Sequence, residues 1–237
     1  MSDQCLDELA LLVAQRGCVV LREQKYMDVG FEEQKRIASY FGPLHKHGWM
    51  PHPKNGPVEF VIVYDSDKDL RIRKSWARKS PIQFHVDQSP ESQPPGLTFF
   101  CMLESPPGAG GDTIISHVSP KPLPCISLLV ADITTKMGRA FERLSPSFRK
   151  RLEGLNAIHT TTNPIMREIR DNGNLAVLRR PISKSIHPVV TVHPVTKQKA
   201  LFVNSSYTQS IVGWDDEESG QFHPEVIRRL SPSYTDC

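Results

Sequence analysis

The chain has 237 residues, enough to bury a sizeable core, and its apolar content of 38% and charged content of 23% are ordinary for a globular protein. A net charge of +3 gives little support to nucleic-acid binding, and the densest basic run, Arg71 to Lys79, favours a solvated loop. The five cysteines have no CxxC spacing, which argues against a disulfide scaffold or a zinc knuckle.

The cysteine pattern, the apolar runs and the N-terminus together predict where in the cell the protein is located. Scattered cysteines suit a reducing compartment, and no apolar run approaches the roughly 18 residues of a membrane span. The acidic N-terminus lacks the basic region of a signal peptide. We therefore expect a cytoplasmic protein with neither a nucleic-acid nor a membrane partner, and the composition leaves homo-oligomer formation open.

The predicted elements alternate between short strands and helices. Leu6, Leu9, Leu12 and Val13 recur at helical spacing before Gly17 and predict a first helix. The others, in chain order, are a strand at 18–23, a helix at 31–42, strands at 58–65 and 96–103, a helix at 144–155 with Ser145 as N-cap, and two strands around a turn near 196–198. Without regular βαβ alternation, this order favours a mainly antiparallel α+β domain.

One short motif carries metal chemistry. His85 and Asp87 are two apart, so on a strand they could point inward together while Val86 packs outward. With one more histidine they would form the facial triad that suits non-haem Fe(II) and leaves three positions open. A surface histidine and aspartate that share a hydrogen bond are the alternative.

The sequence around this motif resembles the taurine dioxygenase-like family of Fe(II)- and 2-oxoglutarate-dependent dioxygenases, in a fungal-type form. The stretch "FHVDQSPESQPPGLTFFCMLESPPGAGGDTIIS" contains a histidine-x-aspartate, a proline-glycine turn, an apolar strand and "GGDT" in the family's order. "FGPLHKH", "LSPSFRKRLEGL" and "HPVVTVHPVTKQKALFVN" also match, and the resemblance runs from about Leu9 to Trp214. It implies a double-stranded β-helix core of the jelly-roll, cupin-like kind, with helices outside.

The resemblance also implies roles for individual residues. His85 and Asp87 match the first two iron ligands, and Thr113 matches a residue whose hydroxyl helps bind 2-oxoglutarate. His47 matches a substrate-contacting histidine, and Tyr207 falls near an aromatic residue of the substrate pocket. Three of these residues also have a purely structural alternative. Thr113 would be a threonine at a strand start, His47 a loop histidine beside His45, and Tyr207 a packing aromatic. The implied cofactors are Fe(II), 2-oxoglutarate and O₂.

Two departures concern the substrate. Sulfonate-binding members have a tyrosine three positions after the substrate histidine, where this chain has Met50. They have an asparagine four positions before the first ligand, where this chain has Pro81. Neither side chain can donate a hydrogen bond to a sulfonate. A small organic acid is expected as the substrate, and taurine itself is doubtful.

The C-terminal part departs further. The family's second metal histidine and its carboxylate-binding arginines are expected after Trp214, but His223, Arg228 and Arg229 do not lie in a matching context. We therefore expect one dioxygenase domain over 1–237 that lacks its last strands, and no turnover by the chain as written. A catalytically inactive domain that binds a small acid is the alternative function.

One internal segment has no counterpart in the family pattern. Residues 117–136 begin rich in proline and then become apolar without a clear period. They are interpreted as a foreign insertion or, alternatively, as a lid loop over the site.

Overall fold

The computed structural model describes residues 1–48, 50–63, 85–104, 128–132, 138–161, 181–204 and 206–220, with only the backbone for 128–132, 139 and 140. All strand pairs in these ranges are antiparallel. Strands and helices are mixed without βαβ units, so the α+β prediction is confirmed. No helix in the described part of the chain is long and apolar enough to cross a membrane.

The first helix, α1, spans Asp3–Arg16 and ends at Gly17, as the sequence predicts. The Ser2 hydroxyl accepts a hydrogen bond from the Cys5 amide, which satisfies one of the free N–H groups of the first turn. Gly17 closes the helix with a φ of 67°, a left-handed conformation that glycine adopts readily. The buried face includes Leu6, Leu9 and Val13.

A three-stranded sheet packs against α1. Its strands are β1 (Cys18–Leu21), β2 (Leu97–Cys101) and β3 (Leu128–Asp132), in the order β1-β3-β2. Between β1 and β2 in sequence lie a 3-10 turn, Tyr26–Val29, and helix α2, Gly30–Ser39. Buried apolar side chains of α1 and β1, with partly buried ones such as Phe41 and Phe99, form the core of this half.

The central strand of this sheet comes from the segment interpreted as an insertion. Leu128–Asp132 pair with β1 on one side and with β2 on the other. These five residues are therefore part of a sheet and not a loop. The rest of 117–136 lies outside the described residues, and the lid interpretation for it stays a prediction.

Replacing Val130 by proline should test the importance of this strand. Val130 faces Val19 on one neighbour and Phe99 on the other, at the middle of both ladders. Proline lacks the N–H that the ladder uses, and it is excluded from central strands. We expect the free energy of unfolding to fall by at least about 2 kcal/mol, which lowers Tm by about 4–8 °C for a chain of this size.

The matched control is Val130→Thr, which keeps the N–H group and the β-branched shape. Thermal unfolding followed by circular dichroism measures both variants. A proline variant that melts with the wild type would show that the strand contributes little to stability.

The second half of the described structure contains a sheet, a hairpin and three helical segments, the last at 216–220. The sheet has the order β5-β4-β8, with β4 at Asn156–Thr160, β5 at Lys184–Pro188 and β8 at Thr208–Ile211. Strands β6 (Val190–Val192) and β7 (Lys199–Leu201) form the predicted hairpin. Helices α3 (Gly138–Glu142) and α4 (Pro146–Leu152) precede the sheet. The predicted N-cap of α4 is confirmed, because the Ser145 hydroxyl accepts from the Phe148 amide at 3.3 Å.

The second core joins these elements to the segment that contains His85. Its buried members come from both helices, from the strands and from the loops that follow them: Phe141, Leu144, Leu152, Ala157, Val189, Ala200, Leu201, Phe202, Val203 and Ile211. Val86 belongs to the same cluster and is 1% exposed. This valine anchors the candidate site on the core.

One predicted strand, 58–65, is wrong over its described part. Residues 58–63 form a turn and irregular backbone. They are held by a hydrogen bond from the Ile62 amide to the Pro51 carbonyl and by packing of Phe60 on Phe31, with ring centres 5.3 Å apart. The β-branched residues favour a strand only where a neighbouring strand can pair with them, so local propensity was misleading here.

Candidate functional site

His85 and Asp87 lie side by side in irregular backbone and not on a strand. The Nε2 atom of His85 is 3.0 Å from Oδ1 of Asp87, and their side chains are 42% and 59% exposed. Val86 between them points the opposite way, into the core. The alternation of sides is as predicted, but the valine faces the interior while the histidine and aspartate face solvent.

The spacing of this pair fits two adjacent ligands of one metal ion. Two donors at roughly 2.1 Å from a metal and 90° apart are about 3.0 Å from each other. The same distance also suits a hydrogen bond between imidazole and carboxylate. Among the described residues, no group of three histidine, cysteine, aspartate or glutamate side chains is arranged to hold a metal. Among the described residues, the candidate site therefore offers at most this pair of side chains as ligands.

A tight turn follows the pair and is fixed by buried polar groups. Gln88 has a φ of 57°, and its carbonyl accepts from the Glu91 amide at 3.0 Å. The Ser89 hydroxyl is fully buried, 3.0 Å from Nδ1 of His159, and it accepts from the Asn204 side-chain amide at 3.3 Å. Buried polar groups with partners hold a unique geometry, so this network sets the position of Asp87 relative to the second sheet.

His47 reaches the same turn from the loop after α2. Its Nδ1 accepts from the Met50 amide at 3.2 Å, and its Nε2 is 2.6 Å from the side-chain nitrogen of Gln88. The predicted substrate histidine thus contacts the residue that follows Asp87. His47 therefore lies near the His85–Asp87 motif, and its role in substrate contact stays a prediction.

Glu91 connects the end of the turn to two other elements. Its carboxylate accepts from the Ser183 hydroxyl at 3.0 Å and lies 3.7 Å from Nε2 of His45. Its carbonyl accepts from Nε2 of His187, on β5, at 2.8 Å. His187 also packs edge-on against His159, with ring centres 5.4 Å apart. Glu91 thus holds the end of the turn against the loop that contains His45 and against β5.

Tyr207 lies on the inner side of the site. It is 7% exposed, and its amide donates to the side-chain oxygen of Asn204 at 3.0 Å. Burial, with the negative charge of Asp87 as a smaller cause, raises the pKa of the Tyr207 phenol well above its ordinary value. The influence of Asp87 indicates that the Tyr207 phenol lies near the Asp87 carboxylate, and a place in the substrate pocket stays a prediction.

This pKa shift predicts an alkaline loss of stability. The folded-state pKa is raised above the unfolded value of about 10. The contribution of the neutral phenol is therefore complete below pH 10 and is lost as the pH rises further. Burial raises the pKa of Tyr26 to about 12, so this residue should add to the same decline.

Urea unfolding between pH 8 and pH 11 measures the decline. We expect Tyr207→Phe to make the fall in unfolding free energy above pH 10 shallower, since phenylalanine has no proton to lose. A variant with the same slope as the wild type would contradict the burial of this phenol.

Several predicted residues lie outside the described residues: Thr113, Pro81, His223, Arg228 and Arg229. The structure brings together four of the five predicted site residues, namely His85, Asp87, His47 and Tyr207. Sequence reasoning missed the residues that hold them in place: Gln88, Ser89, Glu91, His159, His187 and Asn204. The only available signal was a run of polar residues, "DQSPE", directly after the metal motif. His193 lies at the hairpin turn, where its Nδ1 accepts from the amides of residues 195 and 196.

Comparisons with known proteins give the family. Residues 1–232 match the profile described as "Taurine catabolism dioxygenase TauD, TfdA family". The chain is 75% identical over 237 residues to the alpha-ketoglutarate-dependent dioxygenase cnsM of Penicillium expansum, covering 100% of this chain and 61% of the relative. It is 36% identical over 219 residues to the alpha-ketoglutarate-dependent sulfonate dioxygenase of Saccharomyces cerevisiae, covering 92% of this chain and 48% of that protein. The chain thus spans about half to three fifths of the length of these relatives.

The fold is similar to solved structures of the same kind. A taurine dioxygenase from Burkholderia xenovorans superposes with a TM-score of 0.63 at 20% identity, covering 98% of this chain and 65% of that one. At this identity the likeness shows the fold alone. The antiparallel sheets and flanking helices described above are therefore those of a taurine dioxygenase-type protein.

Proposed function

Because the chain belongs to the TauD/TfdA family of taurine catabolism dioxygenases, we propose that it is an Fe(II)- and 2-oxoglutarate-dependent oxygenase. Its substrate in this proposal is a small organic acid, a sulfonate or a carboxylate, which is hydroxylated. The observation that carries the proposal is the His85–Asp87 pair, 3.0 Å apart and next to His47. The β-helix core implied by the family, in one domain over 1–237, would hold this pair at its mouth.

The residues of this chain have separate tasks in this proposal. His85 and Asp87 would hold Fe(II), with a third ligand from outside the described residues. When bound, the iron supplies the activation of O₂ that is coupled to the conversion of 2-oxoglutarate to succinate and CO₂. Thr113 would bind the cosubstrate through its hydroxyl. His47 would donate a hydrogen bond to the acid group, and Tyr207 would form a wall that limits access of water.

The surroundings of the site support a small, polar substrate group. The Met50 amide and Gln88 occupy both ring nitrogens of His47, so the imidazole is held in one orientation. An oriented donor near the metal pair can hold the acid group of a substrate and so position the carbon that reacts.

The inactive alternative is disfavoured because the relatives reported above are named as dioxygenases and because both metal residues are present. We also propose a cytoplasmic location, since none of the three cysteines in the described part, Cys5, Cys18 and Cys101, is in a disulfide.

The choice of acid follows from Met50. Its side chain has no hydrogen-bond donor where sulfonate-binding members have a tyrosine, and its backbone amide donates to Nδ1 of His47. We therefore expect taurine to be a poor substrate, weaker than the best acid by roughly tenfold, the worth of about one missing hydrogen bond.

The experiment measures Fe(II)-dependent succinate formation across a panel of sulfonates and carboxylates. Met50→Tyr is the matched variant, and it should improve taurine relative to the other acids. Taurine ranking first with the wild-type protein would contradict the specificity. The proposed function implies turnover by this chain, contrary to the expectation from its sequence, so absence of iron-dependent succinate with every acid would contradict the function.

A further inference from the structure

The contact between Gln88 and His47 defines a proton position. The Met50 amide donates to Nδ1 of His47, so Nδ1 is an acceptor and the proton of the neutral ring is on Nε2. The nitrogen of the Gln88 carboxamide is 2.6 Å from this Nε2. Two N–H groups facing each other at that distance would repel. The oxygen and nitrogen of a carboxamide are interchangeable in position, so turning the amide by 180° places its oxygen as the acceptor.

We propose that Gln88 is a positioning residue for His47: its carboxamide oxygen accepts the Nε2 proton of the imidazole and fixes that donor beside Asp87. The side chain is 8% exposed, and it makes no other hydrogen bond to the described residues. Its backbone has a φ of 57°, a conformation that costs free energy for a residue other than glycine. Such a conformation persists where the surroundings hold it, and here the buried Ser89 and the amide of Glu91 do so.

One consequence is that this hydrogen bond couples the loop of His47 rigidly to the turn that follows Asp87. His47 comes from the loop after α2, whereas Gln88 follows directly on Asp87. The hydrogen bond between residues 41 positions apart therefore sets the distance from the substrate donor to the metal pair. Any acid that binds His47 must replace the Gln88 oxygen as the acceptor of its proton. This last step rests on the proposed function, and it makes Gln88 a determinant of substrate affinity.

Nuclear magnetic resonance of the histidine side chains tests the proposal in the purified chain without metal. The wild type should show a His47 ring protonated at Nε2, with an N–H proton that exchanges slowly with water; absence of the signal in His47→Asn assigns it. Gln88→Met, similar in length but without an oxygen acceptor, should lose the slow exchange. Gln88→Glu, which keeps an oxygen, should retain it.

Gln34→Met is the matched control, because Gln34 is 1% exposed and its amide donates to the Tyr26 carbonyl in the other half of the structure. This control should leave the His47 proton protected. A wild-type proton on Nδ1, unchanged protection in Gln88→Met, or equal loss in Gln34→Met would each overturn the proposal.

Kinetics test the substrate consequence separately. Gln88→Met should change KM for the best acid by roughly threefold to tenfold, the range expected for one hydrogen bond, with kcat changed much less. A fall in kcat alone would overturn this consequence. If no variant forms succinate, the proposed function fails, whereas the exchange measurement still decides whether Gln88 positions His47.

Discussion

Replacing His85 by alanine is expected to lower Fe(II) affinity by more than about 100-fold and to abolish iron-dependent succinate formation. The imidazole is one of the two ligands that the described site offers, with Nε2 3.0 Å from the Asp87 oxygen. Mutating a residue that only hydrogen-bonds to a metal ligand typically lowers metal affinity or activity about 10–100-fold. Loss of a ligand itself should therefore lower Fe(II) affinity by more than that. Because the His85 side chain is 42% exposed, its removal should have little effect on folding.

The control for this variant is His193→Ala. His193 is 2% exposed and its ring accepts from two turn amides, so its loss should lower stability and leave iron affinity unchanged. Succinate formation and Fe(II) affinity are measured for both variants. Full activity in His85→Ala would remove this residue from the metal site.

Replacing Val86 by aspartate is expected to destabilise the fold by at least about 4 kcal/mol, a large part of the 5–15 kcal/mol typical of a domain. Val86 is 1% exposed within the second core. A carboxylate of similar size would be buried there among apolar side chains without a partner, which is among the most costly changes in a protein interior. At roughly 2–4 °C per kcal/mol for a chain of this size, Tm should fall by about 8 °C or more.

Val86→Thr is the matched control, since it keeps the shape and adds only a hydroxyl; we expect a loss of about 1–2 kcal/mol. Chemical denaturation monitored by tryptophan fluorescence gives both values. If Val86→Asp unfolds at the wild-type midpoint, Val86 does not anchor the metal motif on the core.

The elements that could be predicted from sequence depend on local signals. Helix α1 is bounded by the Ser2 cap and by Gly17, and α4 begins at Ser145 followed by proline, so both were found. The hairpin of β6 and β7 was found from two apolar runs around a turn. In each of these cases the residues that decide the structure lie within a few positions of one another.

The failures concern elements whose partners are distant in the chain. The strand at Leu128–Asp132 was interpreted as part of an insertion, because its partners, β1 and β2, lie far away in sequence. The predicted strand at 58–65 has strand-forming residues but no strand pairing over its described part, 58–63. Both failures have one cause: a strand is stabilised by its neighbours more than by its own residues.

The candidate site also combines a local motif, which the sequence reveals, with contacts between distant residues, which it does not. The spacing of His85 and Asp87 was sufficient to suggest a metal pair, since both belong to one short motif. The contact of Gln88 with His47 spans 41 positions, and that of His187 with Glu91 spans 96. No local pattern predicts such pairs. The expected orientation of the motif, with His85 and Asp87 inward and Val86 outward, was wrong, because the packing of Val86 in the second core decides which side is buried.

Anaerobic titration of the purified chain with Fe(II), followed by calorimetry, tests most directly whether His85 and Asp87 hold a metal. We expect the wild type to bind one equivalent of Fe(II), and Asp87→Asn to bind it at least about tenfold more weakly, because the neutral amide is a poorer ligand for a hard cation. The control His193→Ala should bind as the wild type does. Equal affinity of the wild type, Asp87→Asn and His85→Ala would contradict the account.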